Sequence, residues 1–250
     1  MNKEKKMISA DSLKWIALIT MFIDHIGAGI FEKSPMFISQ HLTFDLVLRG
    51  IGRVAFPIFC FLLVEGYIHT HDRLRYGIRL SVFCLLSEIP FDLLFRQTFF
   101  TLDYQNVYFT LIIGYLCMIA MGCLDEKIKG YLSLIPEVII LALGAVLAQL
   151  MRTDYGAWGV VLIGVIFLFR KNRRSQCLAS VVFILVTSFT GLISDLEAFG
   201  TLAFIAIAFY SGQRKNSVNK YVFYSLYPIH LSLYAGIRYI LFTVLDVMWD

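Results

Sequence analysis

The stretch LKWIALITMFIDHIGAGIF, Leu13 to Phe31, is apolar over the length of a bilayer crossing, yet it carries an aspartate beside a histidine, Asp24 and His25. At 1.5 Å of rise per residue, such a run covers the roughly 30 Å of a hydrocarbon core. The ten residues before it are mostly polar and basic. A secretory signal would end at a small-residue cleavage site after a shorter apolar core. No such site is apparent, so the stretch reads as a retained first helix.

Further apolar blocks run roughly over 44–68, 76–95, 106–124, 132–150, 157–169, 176–193, 198–210 and 221–245. Of the 250 residues 58% are hydrophobic and 16% charged, where a soluble domain carries about a quarter charged. The 22 Phe and 13 Tyr suit lipid-facing and interfacial surfaces. The expectation is an all-α integral membrane protein: one membrane-embedded domain over 1–250, a polytopic helical bundle of about nine transmembrane helices with short loops. The five cysteines lie scattered through the apolar blocks without a CxxC pair, so they read as small hydrophobes, and no metal site is expected. No internal repeat is obvious, which weakens a transporter built from inverted halves.

The basic residues provide an independent topology. Lysine and arginine favour cytoplasmic loops. With the N-terminus inside, sixteen of the 22 fall on inner segments: Lys3, Lys5, Lys6, Lys14, Arg73, Arg75, Arg79, Lys127, Lys129, Arg170, Lys171, Arg173, Arg174, Arg214, Lys215 and Lys220. Only Lys33, Arg96 and Arg152 fall outside, while Arg49, Arg53 and Arg238 lie within apolar blocks. This predicts a cytoplasmic N-terminus and an external C-terminus in the cytoplasmic membrane. Because the cations sort by membrane side, the net charge of +4 does not point to nucleic acid.

Ionisable groups at membrane depth are costly and serve as functional markers. Asp24 and His25 sit about 18–20 Å along the first helix. Arg49 and Arg53, one turn apart, reach a similar depth on the second, as do Glu88 and Asp92 on the third. Opposite charges at one depth can satisfy each other, and Glu88 and Asp92 are expected to hold the arginines. The same four residues are equally placed to form an ion-pair network that only fixes packing. Neighbours on a helix point about 100° apart, so Asp24 is free to meet an arginine rather than His25. An imidazole titrates near neutral pH and can move a proton. At the inner side Glu65, His69, Arg73, Arg75, Tyr76 and Arg79 cluster. They read either as positive-inside loops or as a phosphate-binding mouth, since arginine forks match phosphate oxygens. On the last helix Pro228 and His230 sit near the midplane with Tyr224, Ser225 and Tyr227. Prolines 57, 90 and 228 each free a helical carbonyl that needs a partner or a cavity.

The stretches DSLKWIALITMFIDHIG (Asp11–Gly27), GRVAFPIFCFLLVEGYIHT (Gly52–Thr70), LLSEIPFDLLF (Leu85–Phe95), QNVYFTL (Gln105–Leu111) and DYGAWGV (Asp154–Val160) resemble TraX-family proteins. The resemblance spans the chain in outline and is most specific in its first half. The family's named member is implicated in N-terminal acetylation of conjugative pilin. The first helix is also similar to that of the wider acyltransferase-three-like superfamily, where a basic residue precedes an essential histidine by eleven positions, as Lys14 precedes His25 here. Lysine in place of the commoner arginine keeps the charge but not the fork.

The resemblance implies an acetyl-CoA-dependent O- or N-acetyltransferase acting on a peptide or glycan acceptor. Acyl-CoA would bind at Lys14, Glu65, His69, Arg73, Arg75 and Tyr76, docking its phosphates on the cytoplasmic arginines and threading its pantetheine arm between helices. His25 would act as general base or covalent relay, with Asp24, Arg49, Arg53, Glu88 and Asp92 completing the catalytic set. Asn106, Tyr155 and His230 are the expected substrate contacts. Two other classes suit the same charges: a proton-coupled transporter or flippase, and a structural membrane scaffold.

Overall fold

The structure is a computed structural model and describes residues 8–125, 133–213 and 219–244. Of the inner basic set, Lys3, Lys5, Lys6, Lys127, Lys129, Arg214 and Lys215 lie outside these residues. The described chain is helical, with two isolated β-bridges, Ile8 with Tyr210 and Gln105 with Thr153. In order come α1 (Ala10–Gly29), α2 (Pro35–Gly52), α3 (Ala55–His69), α4 (Arg73–Phe95), α5 (Val107–Asp125), α6 (Leu134–Leu150), α7 (Gly156–Leu168), α8 (Arg173–Phe189), α9 (Ala203–Ala208) and α10 (Lys220–Tyr239). A 3-10 turn (Phe31–Lys33) follows α1, and a 3-10 segment (Asp195–Leu202) runs into α9.

Each apolar block of the sequence thus carries helix. The spans Ala10–Lys33, Ser39–His69 and Val107–Leu124 are long and apolar enough to cross a membrane, while Leu134–Leu150 and Gly156–Leu168 are apolar but shorter. Polar residues punctuate the blocks and start the helices. Ser9 accepts from the Ser12 amide at 3.2 Å, Asp72 from Arg75 at 2.9 Å, and Asn219 from Tyr221 at 2.9 Å. Such caps satisfy amide groups that a helix N-terminus leaves open.

The second apolar block is two helices. α2 ends at Gly52 and α3 begins at Ala55. Pro57 has no N–H to offer the Arg53 carbonyl, and the chain breaks at Arg53–Val54, just ahead of it. This break places Arg53 at a corner, with α1 on one side and the 3-10 segment on the other. α1 packs on α2, α3 and α10; α10 lies along α4; α5 bridges α4, α6 and α7; the 3-10 segment rests on α8 and α2.

The distribution of polarity is inverted relative to a water-soluble bundle. Leu85, Leu143, Leu150 and Phe189 are at least 66% exposed, whereas Asp24, Glu88, Asp92, Asn106 and His230 are buried. Contiguous exposed apolar faces of this extent mark a membrane surface or another partner. With three helices of spanning length, the outer faces are those of a membrane protein.

Candidate functional site

The centre of the molecule is an ion-pair network built around Asp24. Its Oδ1 accepts from Arg53 Nη2 and its Oδ2 from Arg49 Nη1, each at 2.6 Å. Arg53 Nη1 reaches Glu197 on the 3-10 segment at 2.6 Å, and its Nε donates to the Arg49 carbonyl at 3.3 Å. Arg49 Nε pairs with Glu32 at 2.8 Å. Two guanidinium groups therefore share three carboxylates, in the geometry charge-assisted pairs favour. Gly52 makes the approach possible: a Cβ there would collide with the Asp24 side chain.

His25, next along α1, turns away from this network to a different partner. Its Nδ1 lies 2.6 Å from Nε2 of His230 on α10, and His230 Nδ1 lies 2.9 Å from the Leu226 carbonyl. A carbonyl can only accept, so His230 Nδ1 carries its proton, and Nε2 of the neutral ring is an acceptor. His25 Nδ1 must then be the donor. The lone pair of the His25 ring is thereby assigned to Nε2, which has no hydrogen-bond partner among the described residues. Pro228 supports this segment. The Tyr224 carbonyl it leaves open accepts the Tyr108 hydroxyl at 3.4 Å.

His25 lines a cavity of about 300 Å³ together with Asp24, Glu32, Lys33, Arg49, Arg53, Arg96, Tyr104, Asp154, Tyr155 and a group of apolar and aromatic side chains. A second cavity of about 210 Å³ lies toward the start of α1. It is largely apolar, with Lys14, Glu65, Tyr76 and Lys220 among its polar lining. The two share Met21, Phe59, Val107 and Tyr227, one side chain from each of four helices, so a single layer of side chains separates them. On the other side a groove of about 780 Å³ shares Arg96, Tyr104 and Tyr155 with the His25 cavity. Three spaces thus stand in series through the bundle, with the imidazole in the middle one.

The family model described as TraX protein matches residues 9–238, nearly the whole chain. The chain belongs to the TraX family. It is 27% identical over 252 aligned residues to a protein of Dichelobacter nodosus named "Probable fimbrial assembly protein FimC, serogroup H1", covering 92% of this chain and 96% of that one. An uncharacterized protein of Rickettsia prowazekii (strain Madrid E) is 26% identical over 195 residues, 76% of this chain and 68% of its own. No solved structure matches.

In this TraX-family chain the residues expected to form the site divide into three groups. His25, Asp24, Arg49, Arg53 and Tyr155 line one cavity. Tyr155 adopts a left-handed backbone (φ 63°) and stacks on Phe56 at 3.7 Å between ring centres. Lys14, Glu65 and Tyr76 line the second. The rest are elsewhere. Glu88 does not hold an arginine: it accepts from the Asn106 side chain, and its other oxygen is buried without a partner. Asp92 accepts the Thr101 amide at 2.7 Å and fastens the loop after α4. The arginines are instead held by Asp24, Glu32 and Glu197, two of which lie in short 3-10 turns that apolar periodicity does not reveal. Asn106 lines none of the three spaces and caps α5, accepting from the Tyr108 amide at 2.9 Å. His230 binds His25 and lines neither the cavities nor the groove. His69, Arg73 and Arg75 stay outside the second cavity. His69 leans on the Glu65 carbonyl, Arg73 sits over Tyr67 at 4.5 Å, and Arg75 pairs with Asp72 at 2.9 Å. Arg53 has all three nitrogens engaged, and Arg49 binds Asp24 and Glu32 through Nη1 and Nε, so both arginines clamp Asp24. Lys220, Glu197, Asp154 and Arg96 were missed, although Asp154 stands in a stretch that carries the family likeness.

Proposed function

We propose that this chain is a membrane-embedded acyltransferase that moves an acetyl group from cytoplasmic acetyl-CoA to an amine or hydroxyl acceptor on the outer side of the cytoplasmic membrane. In this reading the chain crosses the bilayer nine times, with its N-terminus inside and its C-terminus outside. The observation that carries the proposal is a single one: an imidazole with its Nε2 lone pair uncommitted, lining a cavity that backs onto a second across one layer of side chains. Membership of the TraX family and likeness to a probable fimbrial assembly protein favour a pilin N-terminus among the acceptors, with other peptides or an envelope glycan as the wider class.

The cavity with Lys14 and Lys220 takes the donor. Its apolar walls suit a pantetheine arm, and its two lysines suit the phosphates that stay at the cytoplasmic rim. The thioester reaches past Met21 and Phe59 to His25. There the acceptor's N–H or O–H gives its proton to Nε2, and a new C–N or C–O bond forms at the acetyl carbon. The C–S bond breaks, and the leaving thiolate takes the proton back from the imidazolium. In the relay form Nε2 attacks the thioester carbon and the C–S bond breaks, and the acceptor then takes the acetyl group from the imidazole as its own proton passes to the departed thiolate. In either form His230 holds the ring in the tautomer the chemistry needs. This orienting role is the one a buried partner plays for a catalytic histidine elsewhere. Asp24, clamped by Arg49 and Arg53, fixes the turn of α1 that presents His25.

Donor binding tests the proposal directly. Saturating acetyl-CoA should raise the melting temperature of the purified protein in detergent by a few degrees, since a ligand that binds only the folded state stabilises it. Lys14→Gln should weaken that rise. No rise, together with proton-driven solute uptake in vesicles, would make the charged helices a transport path instead.

A further inference from the structure

Three carboxylates line the His25 cavity, and two of them are spent on arginine. Asp24 holds Arg49 and Arg53, and Glu32 holds Arg49. The third, Asp154, makes no ion pair among the described residues. Its Oδ1 accepts the Tyr104 hydroxyl at 2.9 Å and the Tyr155 amide at 3.1 Å, whereas its Oδ2 has no hydrogen-bond partner there. The Arg53 guanidinium lies 5.8 Å from the centre of the neighbouring Tyr155 ring, but its nitrogens are committed to Asp24, Glu197 and the Arg49 carbonyl.

The loop around Asp154 fixes this carboxylate. Arg152 (φ 52°) and Tyr155 (φ 63°), on either side of it, are two of the three non-glycine residues in the left-handed region among those described. Such backbone persists only where its surroundings hold it, and it gathers at functional sites. Here the Asp154 amide donates to the Gln105 carbonyl at 2.8 Å, the Gln105 amide to the Arg152 carbonyl at 3.0 Å, and the Thr110 hydroxyl to the Asp154 carbonyl. The carboxylate therefore stands at a border. Asp154 lines the His25 cavity, and both of its Oδ1 partners, Tyr104 and Tyr155, line that cavity and the groove beyond it.

Proton balance gives this position a task. An amine acceptor arrives as R–NH3+, and its acetylation releases a proton that an alcohol does not: R–NH3+ and CH3CO–SCoA give R–NH–COCH3, HSCoA and H+. His25 takes the proton lost on attack and returns it to the thiolate, so the other proton needs a second acceptor. We propose that Asp154 is a second catalytic base, whose Oδ2 takes the surplus proton of an ammonium acceptor before attack. The ammonium and the carboxylate become R–NH2 and a carboxylic acid, and the freed lone pair forms the C–N bond. The proton then leaves Asp154 for water in the groove. Lys33, Arg53 and Arg96 line the same cavity and favour this direction, because nearby cations make an ammonium more acidic. Of the anions around them, Asp24 and Glu197 are engaged by Arg53 and Glu32 by Arg49. Tyr104, Tyr155 and, from α10, Tyr227 complete the titratable wall, and tyrosines titrate near 10. The role rests on the acyl-transfer reading.

The test uses the full chain in bilayers with labelled acetyl-CoA and cell-envelope material, and compares the parent with Asp154→Asn from pH 6 to pH 9. Asparagine keeps an oxygen for the Tyr104 and Tyr155 donors but cannot take a proton. Peptide α-amino groups titrate near 8, so their labelling by the variant should fall about 100-fold below the parent at pH 6 and about 10-fold at pH 7, and should meet it at pH 9. Asp154→Glu, which keeps a base, should bring the two curves back together. A carboxylate that only holds the loop would cost one factor at every pH; that result, or no loss at all, overturns the proposal. So does labelling confined to hydroxyls. Where the asparagine variant does not fold, the parent's own curve decides. A level rate between pH 7 and 9 supports the second base, and a rate climbing tenfold per pH unit up to 8 shows that the acceptor must arrive neutral and overturns it. A parent that labels nothing removes the acyl-transfer reading, and the role of Asp154 with it.

Discussion

At the scale of single residues, the account depends on which nitrogen of His25 is free. The Leu226 carbonyl fixes the proton on His230, and His230 in turn fixes the one on His25. His230→Ala removes the acceptor for Nδ1–H and should lower acetyl transfer about 10- to 100-fold, mainly in kcat, a part of the roughly 100- to 10,000-fold that positioned proton transfer contributes. His230→Gln, whose amide oxygen can accept the same bond, should recover much of the loss. Equal activity in the parent and both variants would show that the ring does not depend on its neighbour. Arg53 yields a prediction of another kind. Arg53→Ala leaves Asp24 and Glu197 buried with their shared cation gone, and breaking a buried pair on one side costs about 3–5 kcal/mol. A melting curve in detergent should show that loss, and Arg53→Lys should recover only part of it because an ammonium cannot span both carboxylates.

Asp24, Arg49 and Arg53 were legible in the sequence because opposite charges at one depth on neighbouring apolar helices can pair. Glu88 and Asp92, placed by the same spacing, turn to Asn106 and Thr101, because depth does not say which helix faces meet. The partner of His25 was not. It lies 205 residues away, and nothing local in SLYPIH distinguishes a histidine that faces another histidine from one that faces substrate. Glu197 was hidden for a related reason: it precedes an apolar block on a 3-10 segment, where helical spacing has no meaning.

At the scale of elements, the break between α2 and α3 does the positioning. Proline at 57 announces a kink, and the chain parts at Arg53–Val54, so the kink and the clamping arginine coincide. Gly52, at the end of α2, lets α1 approach until Asp24 lies over its backbone. Gly52→Ala should therefore destabilise the protein by about 1–3 kcal/mol through overpacking. Thermal unfolding would register this, and an unchanged midpoint would mean that α1 and α2 can separate at no cost. A signal that was present in the sequence went unused at Asn106. A polar amide immediately before an apolar helical run is an N-cap pattern, and this side chain caps α5.

At the scale of the whole molecule, the apolar blocks were legible because lipid imposes helix on any segment it surrounds. Charge then orders the blocks. The sixteen-to-three division of lysine and arginine predicts that reporter domains fused to the two ends will report opposite sides, the first cytoplasmic and the second external. Both ends on one side would require an even number of crossings and would move one cavity mouth across the membrane. The interior was less legible. Cavities arise from side chains of four helices meeting at Met21, Phe59, Val107 and Tyr227, and no linear pattern encodes such a meeting.

The most direct measurement is of transfer itself. Purified protein in bilayers is supplied with isotopically labelled acetyl-CoA on the side of Lys14 and with cell-envelope material on the side of Arg96, and acetylated products are identified by mass spectrometry. The account predicts labelled acceptor with the parent chain and none with a His25→Ala variant that inserts and melts normally. Undiminished labelling by that variant would contradict it.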